Sequence, residues 1–246
     1  MKLCYGTRTA DAVVHAIRAR VGCLAMPRPS AGSRVRSVRA SPKIVAELAA
    51  ADPVMARLID EHAAVVRRDL KRERPGDAYG ALLRSIVGQQ LSTKAARTIY
   101  GRMLELFDGH APTPKQLLAA DPDAIRAAGL SRPKIAYLRD LAQHVEDGEL
   151  ELERLHDLPD DEVIEQLTAV KGIGDWSAHM FLMFHLGRPD ILPVGDLGIR
   201  NAVKAQYRLR KLPDPKRLER IARPWRPYRT LACLYLWSSL DNQPGT

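Results

Sequence analysis

A chain of 246 residues, 46% of them hydrophobic, can bury one large core or two compact ones, and its formal net charge of +9 makes a polyanion the first partner to consider. Cys4, Cys23 and Cys233 are scattered, with neither paired metal-ligand spacing nor an even count for a disulfide framework, which fits a reducing intracellular compartment and argues against a zinc or iron–sulfur cluster. No apolar run is long enough to span a bilayer, so a membrane partner is not expected.

Residues 1–40 carry Lys2, Arg8, Arg18, Arg20, Arg28, Arg34, Arg36 and Arg39 against Asp11 alone. The part that reads PRPSAGSRVRSVRAS has too few large apolar side chains for a core, and the segment reads as a flexible basic tail. A DNA-holding arm, an organelle transit peptide and translation from an upstream start codon all fit it. Asp11, His15, Arg18 and Arg20 interrupt its apolar stretch, so it is not a secretory signal.

From Ser41 the pattern turns helical. Ser41-Pro42 opens a helix with Ile44, Val45, Leu48 and Ala49 on one face, and Asp52-Pro53 opens another with Val54, Leu58, Ile59, Ala63 and Val66 facing inward. The charged stretch KRERPGD, 71–77, breaks the pattern. An amphipathic run follows through Tyr79, Leu82, Leu83 and Ile86 into Gly88-Gln89-Gln90-Leu91, and Ser92 is placed to cap a helix reaching Leu106. Thr113-Pro114, Asp121-Pro122 and Ser131-Arg132-Pro133 are further starts, with Gly129 as a C-terminal cap. Helices are expected from Asp160 to Thr168, Asp175 to Leu186, Asp196 to Tyr207, Asp214 to Ala222 and Pro227 to Leu240. No stretch alternates with period two between hairpin signals, so the fold is all-α, with roughly ten to twelve helices and short connections.

Chemistry concentrates between Thr168 and Arg200. Gly172 and Gly174 permit a tight turn and let a backbone approach closely. The amides of Gly172, Gly174 and Ser177, with Lys171 beside them, suit one phosphate at a helix start; an ordinary interhelical turn is the plainer reading. Asp196 before Leu-Gly-Ile-Arg is a good helix cap, and a capped carboxylate is also one held ready to stabilise positive charge or orient water. Trp176 and Trp237 suit either core packing or stacking on a base, whereas Trp225 and Tyr228 read as core. Gly88–Ser92 is either a polar loop or a tip that enters a duplex. His179 and His185, six apart, lack one-face metal spacing and read as packing or surface residues.

At these residues the sequence resembles the helix-hairpin-helix DNA glycosylases (HhH-GPD) of the 3-methyladenine DNA glycosylase II, AlkA-like, group. IVGQQLST at 86–93, VKGIGDWSAHMF at 170–181, LPVGDLGIR at 192–200 and PWRPYRTLACLYLW at 224–237 occur in the right order. The resemblance implies two helical lobes with the active-site cleft between them, in the short form without an N-terminal β-sheet domain. One lobe would come from 41–77 and 189–246, and 78–188 would form a bundle carrying the hairpin. It implies a monomer acting on double-stranded DNA with alkylated bases, in the nucleoid of a bacterium or the nucleus of a eukaryote. Asp196 falls on the catalytic aspartate, and Trp237 and Trp176 on base-pocket aromatics. Gln90 falls on the wedge, with Leu91 beside it. Lys171, Gly172, Gly174 and Ser177 fall on the phosphate site. The carbonyls of Thr168, Val170 and Ile173 fall on a monovalent-cation site, Na+ or K+; no other cofactor is implied.

Bifunctional relatives carry a lysine where Trp176 stands, so hydrolysis without strand cleavage is expected. Met180 and Leu197 stand where pocket aromatics are known, leaving a different lesion as one alternative. A helix-hairpin-helix that only bound DNA is the other, and it would have no use for Asp196 with Trp237.

Overall fold

The computed structural model describes residues 40–70 and 77–241; the expected basic tail lies outside them except for Ala40, as does 71–76 of the charged break. The described residues form helices and loops, with no strand. The described residues divide into two compact units, 83–147 being one and 40–70, 77–82 and 148–241 the other.

The second unit begins with α1 (Pro42–Ala51) and α2 (Pro53–Leu70), which pack on each other. Ser41 caps α1 by accepting from the Ile44 amide. On α2 the buried face is Met55, Leu58, Ile59, His62 and Val66; Val54 and Ala63, expected inside, are half-buried. The stripe is rotated toward Met55 and His62 because α12 (Arg229–Asp241) lies along that helix as well as α1. The remaining elements are α8 (Asp160–Ala169), α9 (Asp175–Phe184), α10 (Leu197–Gln206) and α11 (Pro215–Ile221), with 3-10 turns at Leu152–His156 and Arg223–Trp225. Both turns went unforeseen, since neither has an apolar period of its own. α8 packs on α9, and α10 on α12. Trp225 is fully buried, as expected, but Tyr228 is only half-buried and its hydroxyl donates to Glu47 at 2.5 Å.

The other unit contains the end of α3 (Ala78–Gly88), then α4 (Thr93–Glu105), α5 (Pro114–Ala119), α6 (Pro122–Ala127) and α7 (Arg132–Glu146). α5 and α6 lie against α7, whose Ile135, Leu138, Leu141 and Ala142 are buried. The expected starts hold: Ser92 accepts from Ala95, Thr113 and Gln116 bond reciprocally, and Asp121 accepts from Asp123.

The division differs from the expected segments. Residues 148–188, with the hairpin helices α8 and α9, go with the flanking lobe rather than with the bundle. Hydrogen bonds explain it: Trp176 donates to Asp196, and the Thr230 hydroxyl donates to the Arg188 carbonyl. Both tie the hairpin to neighbours within that unit.

Candidate active site

The site is built on the turn between α8 and α9 and the loop between α9 and α10. α8 ends at Ala169, and Gly172 then takes φ +83, a left-handed conformation that costs other residues roughly 1–2 kcal/mol. Gly174 serves differently: its φ is an ordinary −102, and a Cβ there would meet nothing within 4 Å. As the cap of α9 it has no side chain to accept from the first-turn amides, which a helix leaves without an intrahelical acceptor. Ser177 is buried in that turn, and Lys171, Gly172 and Gly174 are exposed. The buried Val170 and Ile173 anchor the turn, with the Ile173 amide donating to the Val170 carbonyl at 3.1 Å. Thr168 sits at the end of α8, its hydroxyl donating back to the Ile164 carbonyl at 2.8 Å.

The loop from Leu186 to Asp196 is pinned at its middle. Arg229 grips Asp190 with Nε to Oδ1 at 2.6 Å and Nη2 to Oδ2 at 3.0 Å, a forked pairing that fixes orientation as well as charge. Thr230, fully buried, donates its hydroxyl to the Arg188 carbonyl at 2.7 Å and accepts from the Ile191 amide at 3.0 Å. None of Asp190, Arg229 or Thr230 was singled out by sequence; an acid and an arginine 39 positions apart announce no pairing.

Asp196 caps α10, its Oδ1 accepting from the Ile199 amide at 2.7 Å. The same oxygen accepts from Trp237 Nε1 at 3.1 Å, and Oδ2 accepts from Trp176 Nε1 at 2.7 Å. The structure thus brings together the three residues expected at the reacting centre. A carboxylate oxygen accepts about two hydrogen bonds, so Oδ1 is filled and Oδ2 keeps one open position. Asp196 itself is only 9% exposed, but Trp176 is 50% exposed and Leu197 59%, a rare showing of large apolar surface beside a buried acid. The helix cap and the carboxylate expected at the reacting centre are one side chain here.

Gly198 was not foreseen. A Cβ there would lie 3.0 Å from Asp196 Oδ1 and 3.2 Å from Trp237 Nε1, so a side chain would force the carboxylate or the indole to give by a few tenths of an ångström. A glycine inside a helical pattern, with no turn to justify it, was the available signal. Beneath the site, Cys233 is fully buried on α12; burial, then the charge of Asp196, pushes its thiol up, keeping it protonated and unreactive.

The other expected site residues lie elsewhere. Gln90 and Leu91 form an exposed turn between α3 and α4, Gln90 at φ +57 and Leu91 37% exposed. Met180 is half-buried on α9. His185 is buried and stacks on Phe181 at 4.7 Å, as a packing residue. Burial pushes His179 below the ordinary histidine range, partly offset by Asp175 and Asp160.

Comparison with known proteins carries these residues further. The family model described as "HhH-GPD superfamily base excision DNA repair protein" matches residues 83–227, more than half of the chain. The chain belongs to that superfamily. This HhH-GPD protein is 36% identical over 174 residues to DNA-3-methyladenine glycosylase 1 of Schizosaccharomyces pombe, covering 70% of this chain and 75% of that one. Its fold matches the solved structure of the S. pombe 3-methyladenine DNA glycosylase in complex with abasic DNA, at a TM-score of 0.69 and 32% identity, covering 83% and 99% of the two chains. A 3-methyladenine DNA glycosidase from Bacillus halodurans matches at the same TM-score, 0.69, with 39% identity over 84% of this chain and 92% of that one. The all-helical HhH-GPD fold is thereby shown.

Proposed function

We propose that this HhH-GPD protein is a monofunctional, monomeric DNA glycosylase that hydrolyses alkylated purines of the 3-methyladenine and 7-methylguanine type from duplex DNA. Base excision repair by a glycosylase follows from the family and from relatives named for that activity. The observation that carries the reading is the Asp196 carboxylate, fixed by three N–H donors with one acceptor position open beside a half-exposed indole.

Alkylation at N3 or N7 makes a purine cationic and a good leaving group, so the site needs no strong general acid. Extruding the nucleotide costs a few kcal/mol, less where damage has weakened pairing. A phosphate at the amides of Gly172, Gly174 and Ser177, beside Lys171, would offset part of that cost. Trp176 and Trp237 would favour the cationic ring through their π faces. As the glycosidic bond breaks, Asp196 stabilises the oxocarbenium-like sugar and steers water to C1′ through Oδ2. Trp176 offers no amine for a Schiff base, so the product is an intact strand with an abasic site. The carbonyls of Thr168, Val170 and Ile173 are hard oxygen donors in one turn, and Val170 has a lone pair left after its bond to Ile173; they would hold Na+ or K+ and stiffen the hairpin.

The test is release of 3-methyladenine from methylated duplex DNA by wild type and Asp196→Asn, assayed before and after alkali. Release by wild type alone, with breaks appearing only after alkali, is expected. Equal release by both removes Asp196 from the mechanism; breaks before alkali remove the monofunctional assignment.

A further inference from the structure

The turn that carries Gln90 and Leu91 is held in shape by a side chain from another helix. α3 ends at Gly88, where the last carbonyls of a helix lose their intrahelical partners. The carbonyl of Ile86 accepts from the Gln89 amide at 3.3 Å, and that of Gly88 from the Leu91 amide at 3.2 Å. The two that alternate with them, Val87 and Gln89, both accept from Lys134 Nζ, each at 2.7 Å. Every carbonyl from 86 to 89 is therefore satisfied, two of them by one ammonium group. With the turn closed in this way, Gln90 takes its left-handed φ of +57 and Leu91 stays exposed.

Lys134 reaches the turn at some cost. It lies in the first turn of α7, where the helix dipole disfavours a cation, and burial pushes its ammonium below the ordinary lysine range. The connection that leads into α7 also lies close on α4: Gly129 takes φ +108, and a Cβ there would meet the Ile99 side chain at 3.3 Å. Lys134 is half-buried, and its ammonium joins α7 to the end of α3 across 45 to 47 positions of sequence.

We infer that Lys134 is the positioning residue of the duplex-entering tip, presetting the Gly88–Leu91 turn so that Gln90 and Leu91 can fill the gap left by an extruded nucleotide. This rests on reading that turn as the wedge. A preset tip does not have to be ordered at the moment it enters the stack, so its rigidity lowers the cost of extrusion rather than that of bond cleavage.

The experiment compares single-turnover release of 7-methylguanine from a paired duplex and from one in which the lesion faces an abasic gap. Wild type, Lys134→Met, Lys134→Arg and the double variant Gln90→Ala/Leu91→Ala are measured on both. The ratio of the two rates is the readout, because it cancels any loss of folded enzyme. Two charge-assisted hydrogen bonds predict that Lys134→Met lowers the paired rate relative to the gapped rate by roughly tenfold to a hundredfold, with partial recovery in Lys134→Arg. A Lys134→Met variant that slows both substrates equally, while the double variant changes the ratio, overturns the role of Lys134 and leaves the wedge standing. A double variant with the wild-type ratio overturns the wedge itself. If Lys134→Met is recovered in too small an amount to assay, Lys134→Gln replaces it under the same criterion.

Discussion

Asp52 and Asp196 are both nearly buried, both start a helix, and both accept from an indole N–H. At Asp52, Oδ1 takes the amides of Val54 and Met55, and Oδ2 takes the Tyr207 hydroxyl at 2.6 Å and Trp225 Nε1 at 3.0 Å. Every acceptor position is used, and Trp225 is completely enclosed. At Asp196 one position on Oδ2 stays open, and the indole that bonds this oxygen is half in solvent. The same ingredients thus make a structural joint in one place and, in the function proposed above, a reactive site in the other. What separates them is whether the carboxylate is left with something to do.

The sharpest test of this contrast is to neutralise each acid. Asp196→Asn should reduce base release by roughly a hundredfold to a thousandfold, the size expected when one preorganised electrostatic group is lost, while DNA affinity by fluorescence anisotropy stays near wild type. Asp52→Ala should do the reverse. It strands the Tyr207 hydroxyl and the Trp225 N–H and removes a helix cap, for about 3 kcal/mol of stability by urea unfolding, with base release per folded molecule retained. If Asp52→Ala slows chemistry as much as Asp196→Asn, the division into joint and site is wrong.

Smaller changes refine it. In Gly198→Ala the new methyl must displace the carboxylate or Trp237, because the existing gaps are 3.0 and 3.2 Å. Displacement of this kind at the reacting group should lower kcat about tenfold or more with little change in Tm. An unchanged kcat would mean that the carboxylate tolerates movement. Tyr207 supplies the mildest test: burial, and then the Asp52 carboxylate, push its hydroxyl well above the ordinary tyrosine range. The unfolded chain therefore loses that proton first as pH rises, and the stability it contributes is full below about pH 10 and declines above it. Above that point wild type should lose about 1.4 kcal/mol per pH unit more than Tyr207→Phe. Parallel curves would show that Tyr207 does not titrate with folding.

Sequence determined the helices where their starts are local events. Ser92, Thr113 and Asp196 each accept from the amide three residues ahead, so the residue type and its neighbours were enough to place them. The glycine pair of the hairpin was legible for the same reason, although the two glycines turn out to act differently, one through its φ and one through open space. The candidate site was legible as a set of residue types, Asp196 with Trp176 and Trp237, through resemblance to a family of known chemistry.

Tertiary structure alone decided the rest. Asp190 with Arg229, Arg188 with the carbonyls of Leu155, His156 and Leu158, Asp52 with Tyr207 and Trp225, and Lys134 with the turn after α3 are all contacts between distant positions. No periodicity or cap signals such pairs, since each partner alone is an ordinary charged or aromatic residue on a helix or loop. The same holds for the hairpin joining the flanking lobe, and for Gly198, where a Cβ would come within 3.2 Å of Trp237 on α12, a helix distant in sequence. Local chemistry chose which residues could react. Packing over long separations set which of them meet, and which oxygen of Asp196 was left open.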